Sequence, residues 1–240
     1  MFKAWYYPLL LLFLLAGCTS EDDPIVMKEQ LPPMAVDTTI SYLALGDSYT
    51  IGTSVQETER WPRQLAQALQ QRERIGVQPL EIVARNGWRT DNLSNALADD
   101  PPAGPYDLVS LLIGVNDQYQ GFGVSGYTER FEDLLQQAIA LAGGDTSAVF
   151  VVSIPDYAFT PFGGGSEAVS REIDAFNQAA QAVAEGYDVP FYNITPISRR
   201  GLAEPDLVAS DKLHPSARQY RLWVEEVLLG QVTAQLRRSR

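Results

Sequence analysis

Four short stretches of the chain carry residue types that chemistry uses, and each has a plainer structural reading beside it. Ser48 lies in Gly46-Asp47-Ser48-Tyr49-Thr50-Ile51-Gly52, directly after an apolar run. If that run is a strand of an open parallel sheet, Ser48 stands where such sheets bind ligands, outside the carboxyl end of the strand. Gly-Asp-Ser is equally a turn that feeds and caps a helix. Asn116, in Gly114-Val115-Asn116-Asp117, can form a turn or hold a side-chain amide over a site to bind a developing oxyanion. Gly87, in Arg85-Asn86-Gly87-Trp88, can make a turn, or admit a ligand close to the backbone and offer its N–H. His214, in Asp211-Lys212-Leu213-His214-Pro215, is the only histidine, so any chemistry needing an imidazole uses it. Asp211 can orient that ring and stabilise its cation; a lone histidine is otherwise a surface or core residue.

The elements that must position these residues follow from periodicity. Apolar runs bounded by Gly, Pro and Asp alternate with helical patterns, which argues for a parallel sheet covered by helices. Strands are expected at 41–45, 80–84, 107–113, 148–154 and 189–194. Helices are marked by Trp61, Leu65 and Leu69; by Leu93 and Leu97 behind a cap at Thr90; by Phe131, Leu134, Leu135, Ala138 and Ile139; and by Val169, Ile173, Phe176, Ala180 and Val183. A last helix carries Tyr220, Trp223, Val224, Val227 and Leu228, its start signalled by Pro215 and Ser216. The expected fold is a flavodoxin-like three-layer α/β/α domain over residues 39–240, with a five-stranded parallel sheet in the order 2-1-3-4-5. In that order Ser48, Gly87 and Asn116 cluster at one sheet end. His214 comes from beyond the fifth strand and must be returned by the long connection from Thr195 to Pro215, a length that in compact domains points to function or disorder.

Composition narrows the chemistry. The 240 residues carry 30 acidic and 18 basic side chains, a formal charge of -12, which disfavours unaided binding to nucleic acid or to an anionic membrane surface. One Cys excludes an internal disulfide and every Cys-cluster zinc site, and one His excludes centres with two or three histidines.

The N-terminus reads as an address. Lys3 precedes an apolar run over 4–16, too short to span a bilayer, which needs about 20 residues, and suited to a signal peptide over 1–17. Leu14-Leu15-Ala16-Gly17-Cys18 resembles a bacterial lipoprotein processing site, which implies cleavage before Cys18 and lipidation of its thiol. The polar, acidic, Pro-containing stretch that follows, up to residue 38, reads as a tether. Thr19 after the cysteine resembles lipoproteins passed to the outer membrane, so the expected location is the bacterial cell envelope.

The four stretches together resemble the SGNH hydrolase superfamily, the GDSL-type esterases and lipases, over about residues 39–228. Gly46-Asp47-Ser48 matches the first block, with Tyr49 where Leu is commoner; Gly87 matches the second, Gly114-Val115-Asn116-Asp117 the third, and Asp211-Lys212-Leu213-His214 the fifth. The resemblance implies a carboxylic ester hydrolase with Ser48 as nucleophile, His214 as base and Asp211 as its partner. It also implies an oxyanion hole from the Ser48 N–H, the Gly87 N–H and the Asn116 amide, with no metal or cofactor. The implied substrates are small-molecule, carbohydrate or lipid acyl esters, and Trp88, Tyr119, Phe122, Tyr157 and Phe162 can line their pocket. The alternative from another class is a non-catalytic flavodoxin-like lipoprotein whose Ser48-Tyr49-Thr50 loop holds a phosphate or flavin.

Three rival motifs are weaker. Gly164-Gly165-Ser166-Glu167-Ala168 is a near miss to a nucleophile elbow, but it follows no strand at once and reads as a loop and helix cap. The glycines from Gly121 to Gly126 spell a dinucleotide fingerprint without opening a strand's turn. Asp47 and Asp117 are expected to bond within their own turns rather than act as paired glycosidase carboxylates. Because one acyl chain binds membranes only marginally while several anchor firmly, Cys18→Ser is expected to move the protein from the detergent phase to the aqueous phase, or to leave it held by uncleaved signal peptide. A wild-type protein found only in the aqueous phase removes the anchor.

Overall fold

A computed structural model describes residues 35–238. The expected signal peptide, Cys18 and the tether up to residue 34 lie outside the described residues. Five parallel strands, β1 (Thr38–Gly46), β2 (Ile75–Ala84), β3 (Leu108–Leu112), β4 (Val149–Val152) and β5 (Phe191–Tyr192), form one sheet in the order β2-β1-β3-β4-β5, as expected. Between and after them run α1 (Ser48–Ile51), α2 (Trp61–Glu73), α3 (Thr90–Asp99), α4 (Val115–Tyr119), α5 (Val124–Leu141), α6 (Glu167–Gly186), α7 (Thr195–Ser198), α8 (Ala217–Leu222) and α9 (Leu229–Arg238). The inner strands are buried on both faces: Tyr42 to Leu45, all of β3 and all of β4 are inaccessible to solvent, as a parallel sheet sandwiched by helices requires. On one side α2 packs against the C-terminal helices, and on the other α3, α5 and α6 pack side by side.

Several elements differ from the expected ones for local reasons. β2 begins at Ile75, five residues earlier than expected, and runs through Pro79. Proline is tolerated there because β2 is an edge strand, and the register slips at that point, Ile40 pairing Val77 and Tyr42 pairing Leu80, a bulge on β2. β5 is two residues rather than six. Beyond Tyr192 side chains take the backbone donors: Ser153 Oγ accepts from Ile194 N–H at 2.8 Å and Asn193 Oδ1 from Thr195 N–H at 3.0 Å, the local competition that ends a ladder. Thr90 is the first residue of α3 rather than its cap, and its hydroxyl is spent on Asp117. The last helix does start behind Ser216, whose Oγ accepts from Gln219 N–H. It passes through a π-helical segment, Trp223–Leu228, before continuing as α9. The connection from Thr195 to Pro215 is not structureless: it holds α7, a turn of 3₁₀ helix at Pro205–Leu207 and an antiparallel bridge between Val208 and Pro215.

Gly46, the last residue of β1, leaves no room for a side chain between β1, β3 and α1. A Cβ there would stand 2.5 Å from the Leu112 carbonyl oxygen and inside the Thr50 side chain. Gly46→Ala is therefore expected to destabilise the fold by about 1–3 kcal/mol, as overpacking does, read as a lower denaturation midpoint. An unchanged midpoint would mean that β1 and β3 can part without loss.

Candidate active site

The site is built where β1, β2 and β3 end. Asp47, buried, caps α1: its Oδ1 accepts the Tyr49 N–H at 2.9 Å, and its Oδ2 faces Asn116 Nδ2 at 3.4 Å. Burial pushes the Asp47 carboxyl up to about 7, against the Tyr49 N–H bond and with the help of the nearby Asp117 charge. Ser48 is the first residue of α1, which lasts one turn before Gly52 closes it at φ 75°. Asn116 sits in α4, immediately after β3, and its amide donates to the Trp88 carbonyl at 3.0 Å. That bond joins the β3 end to the loop carrying Gly87.

Gly87 stands at φ +77°, where glycine is favoured, and a Cβ built on it would meet no protein atom within 4 Å. The space beside it belongs to the pocket. Asp117 departs from expectation. Instead of bonding within its own turn, it reaches Thr90, accepting from its N–H at 3.0 Å and its hydroxyl at 2.7 Å, and pairs with Arg130 at 3.1 Å. Asp47 does bond within its own turn, as the cap of α1. Neither carboxylate is among the pocket-lining residues.

The return of His214 is achieved by hydrogen bonds along its loop. Asp211 accepts four: from Leu213 N–H at 2.9 Å and His214 N–H at 3.0 Å on Oδ1, and from Ser54 Oγ at 2.6 Å and His214 Nδ1 at 2.7 Å on Oδ2. Burial works to raise the Asp211 carboxyl, but these donors outweigh it and hold it down to about 2. An ionised carboxylate only accepts, so Nδ1 carries the ring proton and a neutral His214 keeps its lone pair on Nε2. The loop is also pinned by Phe162 N–H donating to the Lys212 carbonyl at 3.1 Å.

Ser48, Gly87, Asn116 and His214 line one pocket of about 290 Å³, together with Tyr49, Asn86, Val115, Tyr119, Tyr157, Phe162 and Leu213. Of the five candidate aromatics, three form its wall, with ring centroids about 6 Å apart: Tyr119, Tyr157 and Phe162. Tyr119 and Phe162 are 58% and 53% exposed, so this wall opens to solvent. The other two are not among the lining residues. Trp88 packs on the core, and Phe122 lies between the Arg89 and Arg130 guanidinium groups, at 4.9 and 5.2 Å. Sequence reasoning missed Ser54, which bonds Asp211, and Tyr49, whose buried ring lies 5.1 Å from the His214 ring. Ser54's only signal is its place in a turn after Gly52.

The GDSL-like lipase/acylhydrolase family model matches residues 44–222, a span holding all the strand-end residues described above. The chain belongs to this family. It is accordingly a carboxylic ester hydrolase, which displaces the non-catalytic alternative. No curated protein sequence matches the chain as a relative. Solved structures share the fold of this GDSL-like hydrolase. The acetylxylan esterase Axe2 from Geobacillus stearothermophilus is 17% identical, covering 85% of this chain and 95% of its own, with a TM-score of 0.62. A lipase/acylhydrolase from Enterococcus faecalis is 18% identical, with 81% and 96% covered and a TM-score of 0.63. The esterase EstA from Pseudoalteromonas sp., in a structure inhibited by monoethylphosphonate, is 18% identical, with 83% and 97% covered and a TM-score of 0.57.

The Asp47 carboxyl holds its proton more tightly in the folded chain than in the unfolded one, where its ordinary value is 3.8. Its contribution to stability is thus present below about pH 4 and is lost as pH rises through about 7. Asp47→Asn lacks that ionisation. The stability of the wild type relative to the variant is expected to fall between those two pH values in denaturant titrations, and a constant difference would remove the assignment.

Proposed function

We propose that this GDSL-like hydrolase cleaves acyl esters through a Ser48–His214–Asp211 triad and an acyl-enzyme intermediate. The observation that carries the reading is the His214 Nδ1 contact of 2.7 Å to an ionised Asp211, in a pocket shared with Ser48. Nε2 of His214 takes the Ser48 proton as Oγ attacks the ester carbonyl carbon. The oxyanion accepts from the Ser48 N–H, the Gly87 N–H and Asn116 Nδ2. Ser48 supplies an N–H because the first residues of a helix have no intrahelical acceptor. Gly87 supplies one because it has no side chain toward the pocket. Asn116 keeps one hydrogen on the Trp88 carbonyl and turns the other, aimed loosely at Asp47 at 3.4 Å, to the oxyanion. The tetrahedral intermediate collapses as His214 gives its proton to the leaving alcohol; water, deprotonated by His214, then releases the acid.

The pocket suits an uncharged acyl ester: Val115, Tyr119, Tyr157, Phe162 and Leu213 surround the polar centre. Structural neighbours include a protein named an acetylxylan esterase and one named a lipase/acylhydrolase, so carbohydrate and lipid esters both belong in a panel that varies chain length and leaving group. We also propose that the enzyme works at the bacterial cell envelope, held to the outer membrane through lipid on Cys18, a reading supported by the sequence around that residue.

A fluorophosphonate is expected to label Ser48 alone, because only an activated serine attacks phosphorus at neutral pH; label on Ser166 would overturn the site. Asn116→Ala is expected to lower kcat by about 10² to 10³ with little change in KM. His214→Ala retaining more than about a tenth of wild-type kcat would end the triad reading.

A further inference from the structure

The turn that leaves α1 touches two other arms of the site, the Gly87 loop and the Asp211–His214 loop. Thr53 N–H returns to the Ser48 carbonyl at 3.1 Å, so the turn is tied to the backbone of Ser48 itself. Thr53 Oγ1 donates to Asn86 Oδ1, the side chain next to Gly87. Ser54 Oγ donates to Asp211 Oδ2 at 2.6 Å, the same oxygen that meets His214 Nδ1 at 2.7 Å. Ser54 adopts this pose at φ 67°, a left-handed conformation that glycine takes more readily than serine. The backbone alone would favour glycine at this position, and the hydroxyl is what serine adds.

We propose that Thr53 and Ser54 are positioning residues: they clamp the Gly87 arm and the Asp211–His214 arm to the backbone of Ser48, and Ser54 shares out the Asp211 carboxylate between its own hydroxyl and the imidazole. This rests on the triad reading above. The clamp acts in two ways. It fixes two separately folded loops against one short turn, and preorganisation of that kind enters kcat rather than substrate affinity. It also moderates His214. A hydroxyl bonded to a carboxylate stabilises the anion and weakens its hold on a neighbouring cation, so losing the Ser54 hydroxyl tightens the Asp211–imidazolium pair and keeps the ring protonated to higher pH.

Other titratable groups near the pair are Tyr49 of α1, Tyr157 on the pocket wall and Tyr220 of α8, with Asp47, Asp156 and Arg60 acting on them through charge. Burial raises all three tyrosines above their ordinary range, so they stay neutral around pH 7. Asp47 ionises in the same region as a histidine, but its hydrogen bonds run to Tyr49 and Asn116 and not to Ser54. It is therefore a constant background in a comparison of Ser54 variants.

The test uses the full chain on a soluble ester, with Ser54→Gly, Ser54→Ala, Thr53→Val and Thr53→Ser beside His214→Ala and fluorophosphonate labelling. Ser54→Gly is expected to melt no lower than wild type, since it relaxes the backbone. Its kcat is expected to fall about three- to tenfold at unchanged KM, the scale of one exposed charge-assisted hydrogen bond. The acidic limb of its kcat/KM profile moves up by about half a pH unit. Ser54→Ala repeats the shift, Thr53→Val lowers kcat without moving the limb, and Thr53→Ser restores it. Wild-type kcat and an unmoved limb in both Ser54 variants would overturn the clamp, as would activity that falls only in step with the folded fraction. If His214→Ala is inactive while the Ser54 variants match wild type, the clamp alone fails. If His214→Ala stays active, the triad fails and the clamp with it.

Discussion

Three fully buried carboxylates stand where β1, β3 and β4 leave the sheet, and the loops of the active site hang from them. Asp47 caps α1 and meets the Asn116 amide. Asp117 gathers Thr90 and Arg130, fixing the start of α3 to the β3 end. Asp156 caps the turn that carries Tyr157, accepting from Ala158 N–H at 3.0 Å, Ser170 Oγ at 2.7 Å and Arg199 Nε at 2.9 Å. A carboxylate taken out of water must find donors or give up its charge. Each of these therefore selects one arrangement of the chain around it, and together the three arrangements shape the pocket.

The partners differ in a way that matters for chemistry. Asp117 and Asp156 are each met by an arginine, whereas Asp47, the one beside Ser48, is bonded by neutral donors, and burial pushes its proton affinity up to about 7. Asp211 is the opposite case. It sits at the rim, four donors surround it, and it stays ionised down to about pH 2. A carboxylate that must steady an imidazolium needs that permanent charge. Placement of the two aspartates, one under the nucleophile and one behind the histidine, follows from how much water and how many N–H and O–H groups reach each.

The same economy of loops explains the pocket wall. The 3₁₀ turn with Tyr157 and the Gly-rich segment behind Phe162 follow β4, and the end of α4 with Tyr119 follows β3, yet their rings meet at about 6 Å. Phe162 is tied to the histidine loop through Lys212, so the apolar wall and the catalytic loop hold each other in place. Phe122, a few residues beyond Tyr119, packs instead on the guanidinium groups of Arg89, just before α3, and Arg130 of α5.

Much of this was legible in the residues. Apolar runs alternating with helical periods argue for a parallel sheet, and in the flavodoxin-like order expected for it Ser48, Gly87 and Asn116 cluster at one sheet end, as the structure has them. With a single histidine, the imidazole had only one source. What the sequence could not determine was anything decided by a partner far along the chain. Thr90 looks like a helix cap until Asp117 claims its hydroxyl, and β5 looks six residues long until Ser153 and Asn193 take its backbone donors. Ser54 looks like any turn serine, because Asp211 is 157 positions away. Periodicity records which face of an element is buried; it carries no information on which buried donor meets which acceptor, and that matching exists only once the chain has closed.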